Sequence, residues 1–196
     1  MYATRGLVLM AMLWWIWSRD GASARRDREI MVATVAAGFV ALILGRVLAE
    51  WLPFRMRPLA NPALSLHFPT AGDEAIRSWS AFPSDHAMLW CAIATGIFLA
   101  SRRLGALALA FAIVCICLPR VYVGLHHPTD VIAGGVLGAL VCVVLCRPRP
   151  RQVIAGPILA LSNRFPGPIH AAIFILSFEM VTQFEELRRL SAAILK

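Results

Sequence analysis

The chain has 196 residues, of which 59% are hydrophobic and 15% charged, with a mean hydropathy of +0.71. These values lie outside the range of soluble globular domains and describe a single-domain integral membrane protein. The 19 Lys and Arg outnumber 11 Asp and Glu, but the excess falls in short clusters between apolar runs; charge so placed orients helices in a bilayer and argues against nucleic-acid binding.

A helix that crosses a membrane needs roughly 20 apolar residues. On that measure the sequence predicts an all-α bundle of about six transmembrane segments, over residues 2–17, 30–52, 84–100, 104–118, 128–146 and 168–184. The first is short, yet it lacks a small-residue cleavage site and is followed by charge, so it reads as a membrane segment rather than a signal peptide. Residues 53–83 form the one long connection, rich in Pro, Ser and Asn. A half-length apolar run, 153–161, precedes the last segment, which itself contains Glu179. The catalytic core is expected over about 30–146. Residues 147–196 are expected to form a cytoplasmic loop, a final membrane or interfacial helix, and a basic tail. Arg188, Arg189 and Lys196 in that tail suit an anionic membrane surface. Cys91, Cys115, Cys117, Cys142 and Cys146 lie in or beside apolar runs without metal-site spacing, and read as small core residues.

Arginine clusters alternate with polar loops. Arg19, Arg25, Arg26 and Arg28 form the first, Arg102 and Arg103 the second, and Arg147, Arg149 and Arg151 the third. The positive-inside rule makes these cytoplasmic. The loops 53–83 and 119–127 then emerge together on the outer face.

Those loops carry three polar patches, each at the outer end of a predicted helix. They are Arg55-Met56-Arg57-Pro58, Phe82-Pro83-Ser84-Asp85-His86, and the stretch from Arg120 to Asp130. Ser84 suits an N-cap and Asp85 a first turn, so capping alone explains these two. It does not explain His86. Pro128 suits the first turn of the next helix. Asp130, four residues after His126, is placed to hold one ring nitrogen and leave the other free as a nucleophile.

Taken together the patches specify a phosphate site. Backbone N–H groups at the Ser84–Asp85 helix start point at an anion, and Arg57 and Arg120 offer forked donors. His126 would attack phosphorus, while His86 would protonate the departing oxygen and then activate water. No acidic cluster of the kind that holds magnesium stands in the sequence, so a mechanism without metal or cofactor is expected.

These patches resemble the three signature motifs of the type 2 phosphatidic acid phosphatase superfamily, which also includes the vanadium haloperoxidases. Pro83-Ser84-Asp85-His86 is similar to the family's Pro-Ser-Gly-His. Arg120, His126 and Asp130 follow the spacing of its arginine-histidine-aspartate motif. Asp85 in place of glycine resembles the bacterial undecaprenyl-diphosphate phosphatases of the bacitracin-resistance type. The resemblance implies a nucleophile at His126 oriented by Asp130, an acid/base at His86, and phosphate ligands at Arg57, Ser84 and Arg120. Two positions depart from the pattern: Glu50 stands where the family has a lysine, and Pro119 where it has a serine. Arg46 or Arg55 is a candidate to supply the missing charge.

The function expected is a phosphatase acting on a lipid phosphate or diphosphate, undecaprenyl diphosphate first, at the outer face of a bacterial inner membrane. A phosphotransferase using the same site, and a non-enzymatic binder of lipid head groups, are the alternatives. His127, His67 and His170 read as neighbours or interfacial residues, and Arg77 in the long loop as an ordinary solvated charge. Trp14, Trp15, Trp17, Trp51, Trp79 and Tyr122 read as interface anchors.

Overall fold

The computed structural model describes residues 4–64 and 79–182. Their fold is all-helical, with seven helices: α1 (Thr4–Trp17), α2 (Ala24–Trp51), α3 (Asp85–Ala100), α4 (Arg102–Tyr122), α5 (Pro128–Leu145), α6 (Pro148–Arg164) and α7 (Pro166–Thr182). Two single turns, Pro58–Ala60 and Pro62–Leu64, lie in the connection after α2. His67, Arg77, Arg188, Arg189 and Lys196 lie outside the described residues.

Local chemistry sets most boundaries. Leu52 precedes Pro53 and is extended, which stops α2. Ser84 caps α3, its hydroxyl accepting the Ala87 N–H, as the sequence predicted. Proline opens α5, α6 and α7 at positions where its missing N–H costs nothing. The half-length run 153–161 belongs to a full helix, α6, which carries Pro157 inside it.

Three helices, α2, α4 and α5, are long and apolar enough to cross a membrane. Shorter apolar stretches are Arg5–Trp17, α3 and α7. With the composition, this makes the chain an integral membrane protein; all six predicted segments are helical, and three reach full spanning length.

At the centre of the bundle is α3, buried on nearly every side from Ala87 to Ile97 and packed on α1, α2, α4 and α5. A helix apolar all round needs such a position. Glycines let its neighbours come close. On α5, Gly134 meets the Ser84 carbonyl and Gly138 the Met88 carbonyl, so the two helices touch backbone to backbone through a small-xxx-small face. On α2, Gly45 meets Asp85 and Met88. A methyl group at 138 has only rigid backbone to displace. Gly138→Ala is therefore expected to destabilise the bundle by about 2 kcal/mol or more, read as a lower thermal midpoint in detergent.

The arginine clusters gather at the opposite end from the polar patches. There Glu29 accepts from Arg151 Nε at 3.2 Å and from Arg25 Nε at 3.3 Å, tying α2 to the start of α6. Arg28 Nε donates to the Trp17 carbonyl at 3.2 Å and its guanidinium lies over the Trp17 ring. His170 packs edge-on against Trp14 and Trp17, so it is an aromatic neighbour at this end.

Candidate active site

At the other end the C-termini of α2 and α4 face the N-termini of α3 and α5, and backbone bonds weave their loops together. Ala81 N–H donates to the Arg55 carbonyl at 2.8 Å, Leu59 N–H to Gly124 at 2.8 Å, and Ser84 N–H to Asp130 at 3.2 Å. All three polar patches are thereby cross-linked. Gly124 turns the chain with φ of 74°, a backbone shape costly for any side chain. Straight after it, the N–H groups of Leu125 and His126 both return to the Arg120 carbonyl, at 3.1 and 3.3 Å.

That turn folds the His126 ring inward until only 2% of the residue is exposed. Its Nδ1 lies 2.8 Å from the Ala81 carbonyl, which can only accept, so Nδ1 carries the hydrogen. Nε2 is left with its lone pair, the form a nucleophile needs.

This corrects the expectation that Asp130 orients His126. Asp130 is fully buried, but one carboxylate oxygen takes the Arg55 guanidinium and the other the His127 N–H at 2.7 Å. Arg55 also donates to Thr129 Oγ1 at 2.9 Å. Asp130 therefore fixes the start of α5 and the loop leading into it, and acts on His126 only through that loop. Arg55 is committed to this pair, which removes it as a substitute for the lysine missing at Glu50.

His86 stands in the first turn of α3. Its Nδ1 is 2.9 Å from Asp85 Oδ1, an oxygen that also accepts the His86 N–H at 2.7 Å. Asp85 thus pairs with the His86 ring and feels the charge of Arg120 as well as starting the helix, which makes a carboxylate beside an anion site tolerable. Ser84 is closed off at 0% exposure with its hydroxyl spent on the cap. The geometry gives that hydroxyl a structural task, and the N–H groups of Ser84, His86 and Ala87 are likewise bonded within the protein, to the Asp130 carbonyl, Asp85 Oδ1 and Ser84 Oγ.

Two arginines complete the cluster. Arg57 is anchored by the carbonyls of Trp79 (3.3 Å) and Leu125 (3.2 Å). Burial lowers its pKa, while the charges of Asp85 and Asp130 act to raise it. Arg120 interacts electrostatically with Asp85, His86 and His126. Asp85, Arg57 and Arg120 therefore link the two imidazoles into one electrostatic cluster. His127 sits at its edge, its Nε2 3.2 Å from the Met56 carbonyl.

Burial, followed by the charges of Arg57 and Arg120, pushes the pKa of His126 from 6.5 down to about 3. The ring is expected to stay neutral as pH falls through 6 and 5, where an ordinary histidine protonates. Histidine-labelled NMR of the detergent-solubilised protein should show its transition only near pH 3–4. Between 6.5 and about 3 the unfolded chain binds a proton that the folded chain does not, so this residue makes stability fall on acidification in that window.

A family model, the PAP2 superfamily, matches residues 3–153. The chain belongs to this superfamily. It is a PAP2-type phosphatase. Among curated relatives, the bacitracin transport permease protein BcrC of Bacillus licheniformis is 27% identical over 81% of this chain and 72% of its own length. A putative undecaprenyl-diphosphatase, YbjG, of Escherichia coli is 31% identical over 69% of this chain and 62% of its own. A decaprenylphosphoryl-5-phosphoribose phosphatase of Mycobacterium tuberculosis is 35% identical over 67% of this chain and 69% of its own. The undecaprenyl-diphosphatase of Sulfolobus acidocaldarius is 32% identical, the match spanning 53% of that protein. No solved structure gives a significant match.

Two members of this candidate site carry no side-chain signal in the sequence or a misleading one. Ala81 acts through its backbone carbonyl. Arg55 reads as a spare phosphate ligand, yet its charge is consumed by Asp130.

Proposed function

We propose that this protein removes the terminal phosphate from an isoprenoid lipid diphosphate, undecaprenyl diphosphate in the first instance, at the outer face of a bacterial inner membrane. The observation that carries the reading is the Nδ1–H of His126 on the Ala81 carbonyl, which leaves a neutral Nε2 within the fields of Arg57, Asp85 and Arg120. His126 Nε2 attacks the terminal phosphorus in line. The bridging P–O bond breaks, the electron pair leaves on the lipid monophosphate, and His86, which takes up a second ring proton as the anionic substrate binds beside it, protonates that oxygen from Nε2. Neutral His86 then takes a proton from water, the resulting oxygen attacks the phosphohistidine, and inorganic phosphate departs with His126 restored. Arg57, Arg120 and the Asp85 N–H at the start of α3 stabilise the charge on the equatorial oxygens.

The outward orientation rests on the arginine clusters, which collect at the end away from the site. Residues 30–146 form the catalytic core of one membrane domain in this reading, and residues beyond 147 its cytoplasmic continuation. Substrates named by the relatives support a polyprenyl tail. The mycobacterial relative favours a second reading, in which the substrate is a polyprenyl-linked sugar phosphate attacked at a monoester.

Purified protein in detergent with excess chelator should release phosphate from undecaprenyl diphosphate faster than from a polyprenyl-linked sugar phosphate or phosphatidic acid. Preference for the sugar phosphate selects the second reading. Phosphate appearing only when a lipid or sugar hydroxyl acceptor is omitted, and moving onto it when supplied, would mark a transferase. No turnover of any of them overturns the proposal.

A further inference from the structure

Helix α4 delivers Arg120 to the site, and it does so after an irregularity. From Ala112 to Cys117 its backbone is π-helical, with Leu118 N–H bonded to the Ile113 carbonyl. One extra residue in a turn rotates everything after it by about 100°. This segment therefore decides which way Arg120 faces. It also contains a weak point. In regular α-helical pairing the Cys115 carbonyl is served by the N–H of residue 119, and residue 119 is proline, which has none.

A donor comes instead from another helix. Arg5, at the start of α1, places Nη1 2.6 Å from the Cys115 carbonyl, 110 positions away in sequence. The neighbouring Gly6 lets α1 lie flush against the Trp90 ring of α3, which holds Arg5 at this level. An arginine on an apolar helix is costly in a membrane unless it serves a purpose.

We propose that Arg5 is a positioning residue: it clamps the carbonyl that Pro119 leaves without its α-helical partner, and so fixes the turn that aims Arg120 at the phosphate. The proposal rests on the reading of Arg120 as a phosphate ligand, and acts through Arg120 rather than on substrate.

The test compares Arg5→Ala, Arg5→Lys, Arg120→Ala, Pro119→Ser and the double variant Arg5→Ala/Pro119→Ser in the intact protein. Readouts are phosphate release and inhibition by orthovanadate, a mimic of the phosphoryl group in transfer. Arg5→Ala is expected to lower kcat/KM and weaken orthovanadate inhibition by about tenfold, the effect of losing one charge-assisted hydrogen bond. Arg5→Lys should recover part of it. With Pro119→Ser restoring a backbone N–H, the same Arg5→Ala change should cost no more than about threefold. An Arg5→Ala effect below about twofold, or one equally large in both backgrounds, overturns the proposal, since packing of α1 alone would not depend on residue 119. Should Arg5→Ala fail to fold, recovery of active protein by Pro119→Ser supports the clamp and failure to recover overturns it. Arg120→Ala is read by itself: unchanged turnover and orthovanadate inhibition there defeat the phosphate-ligand reading, independently of how the Arg5 variants behave.

Discussion

Replacing His126 by alanine is expected to lower the rate of phosphate release by on the order of a thousandfold or more, the usual cost of deleting a covalent nucleophile. Some loss of stability accompanies it, because the Ala81 carbonyl loses its donor at 2.8 Å. A buried acceptor left unpaired costs about 1–3 kcal/mol, too little to account for the rate. His86→Ala should behave differently. Its role is to move protons, worth about 10²–10⁴-fold, and the need for it depends on the leaving group. With 2,4-dinitrophenyl phosphate, whose weakly basic phenolate departs without protonation, His86→Ala should lose much less than with a lipid diphosphate. The His126 variant should be equally inactive on both. Equal losses from His86→Ala on the two substrates would remove it from the acid role.

The second large effect is expected at the Arg55–Asp130 pair. Asp130 has no exposed surface, whereas the Arg55 side chain is 39% exposed. The two ends of the pair are therefore unequal. Arg55→Ala strands a buried carboxylate on the His127 N–H, and should cost roughly 3 kcal/mol, the lower end for breaking a buried ion pair because Arg55 is partly solvated. Asp130→Asn keeps an acceptor for one of the two donors and frees an arginine that water can reach, so it should cost less. Both should lower activity through the loop 123–127, in step with the loss of thermal stability. An Asp130→Asn protein as inactive as His126→Ala, with its thermal midpoint unchanged, would instead mean that Asp130 touches the imidazole directly.

The contrast between these two cases marks what the sequence makes legible. Helix ends were readable because single residues enforce them: Pro53 stops α2, Ser84 caps α3 and Pro128 opens α5. The membrane class followed from composition, and the gathering of three distant patches at one end followed from alternating arginine clusters. Partnerships across loops were not readable. Arg55 and Arg57 sit two apart in an irregular segment with similar chemistry, and only the path of the chain shows that one takes Asp130 while the other faces Asp85, His86 and His126. The donor-acceptor pair between His126 and Ala81 uses a main-chain oxygen that every residue type possesses, so no sequence pattern announces it. The spacing of His126 and Asp130 invited a direct bond. The structure spends that carboxylate on the start of α5 instead, where a helix N-terminus and an arginine compete successfully for it. The π turn before Arg120 is likewise hidden, since its cause is divided between Pro119 and a residue on α1.

The central claim is that phosphate passes through a covalent bond to His126. The most direct measurement is rapid quenching at alkaline pH, where phosphohistidine survives, of the protein with substrate labelled in its terminal phosphate, followed by mass-spectrometric location of the label. The expected result is a phosphoryl group on His126 that is lost in His126→Ala and persists longer in His86→Ala, whose water is no longer activated. Turnover with no covalent phosphate at any time after mixing, or with the label on another residue, would contradict the account.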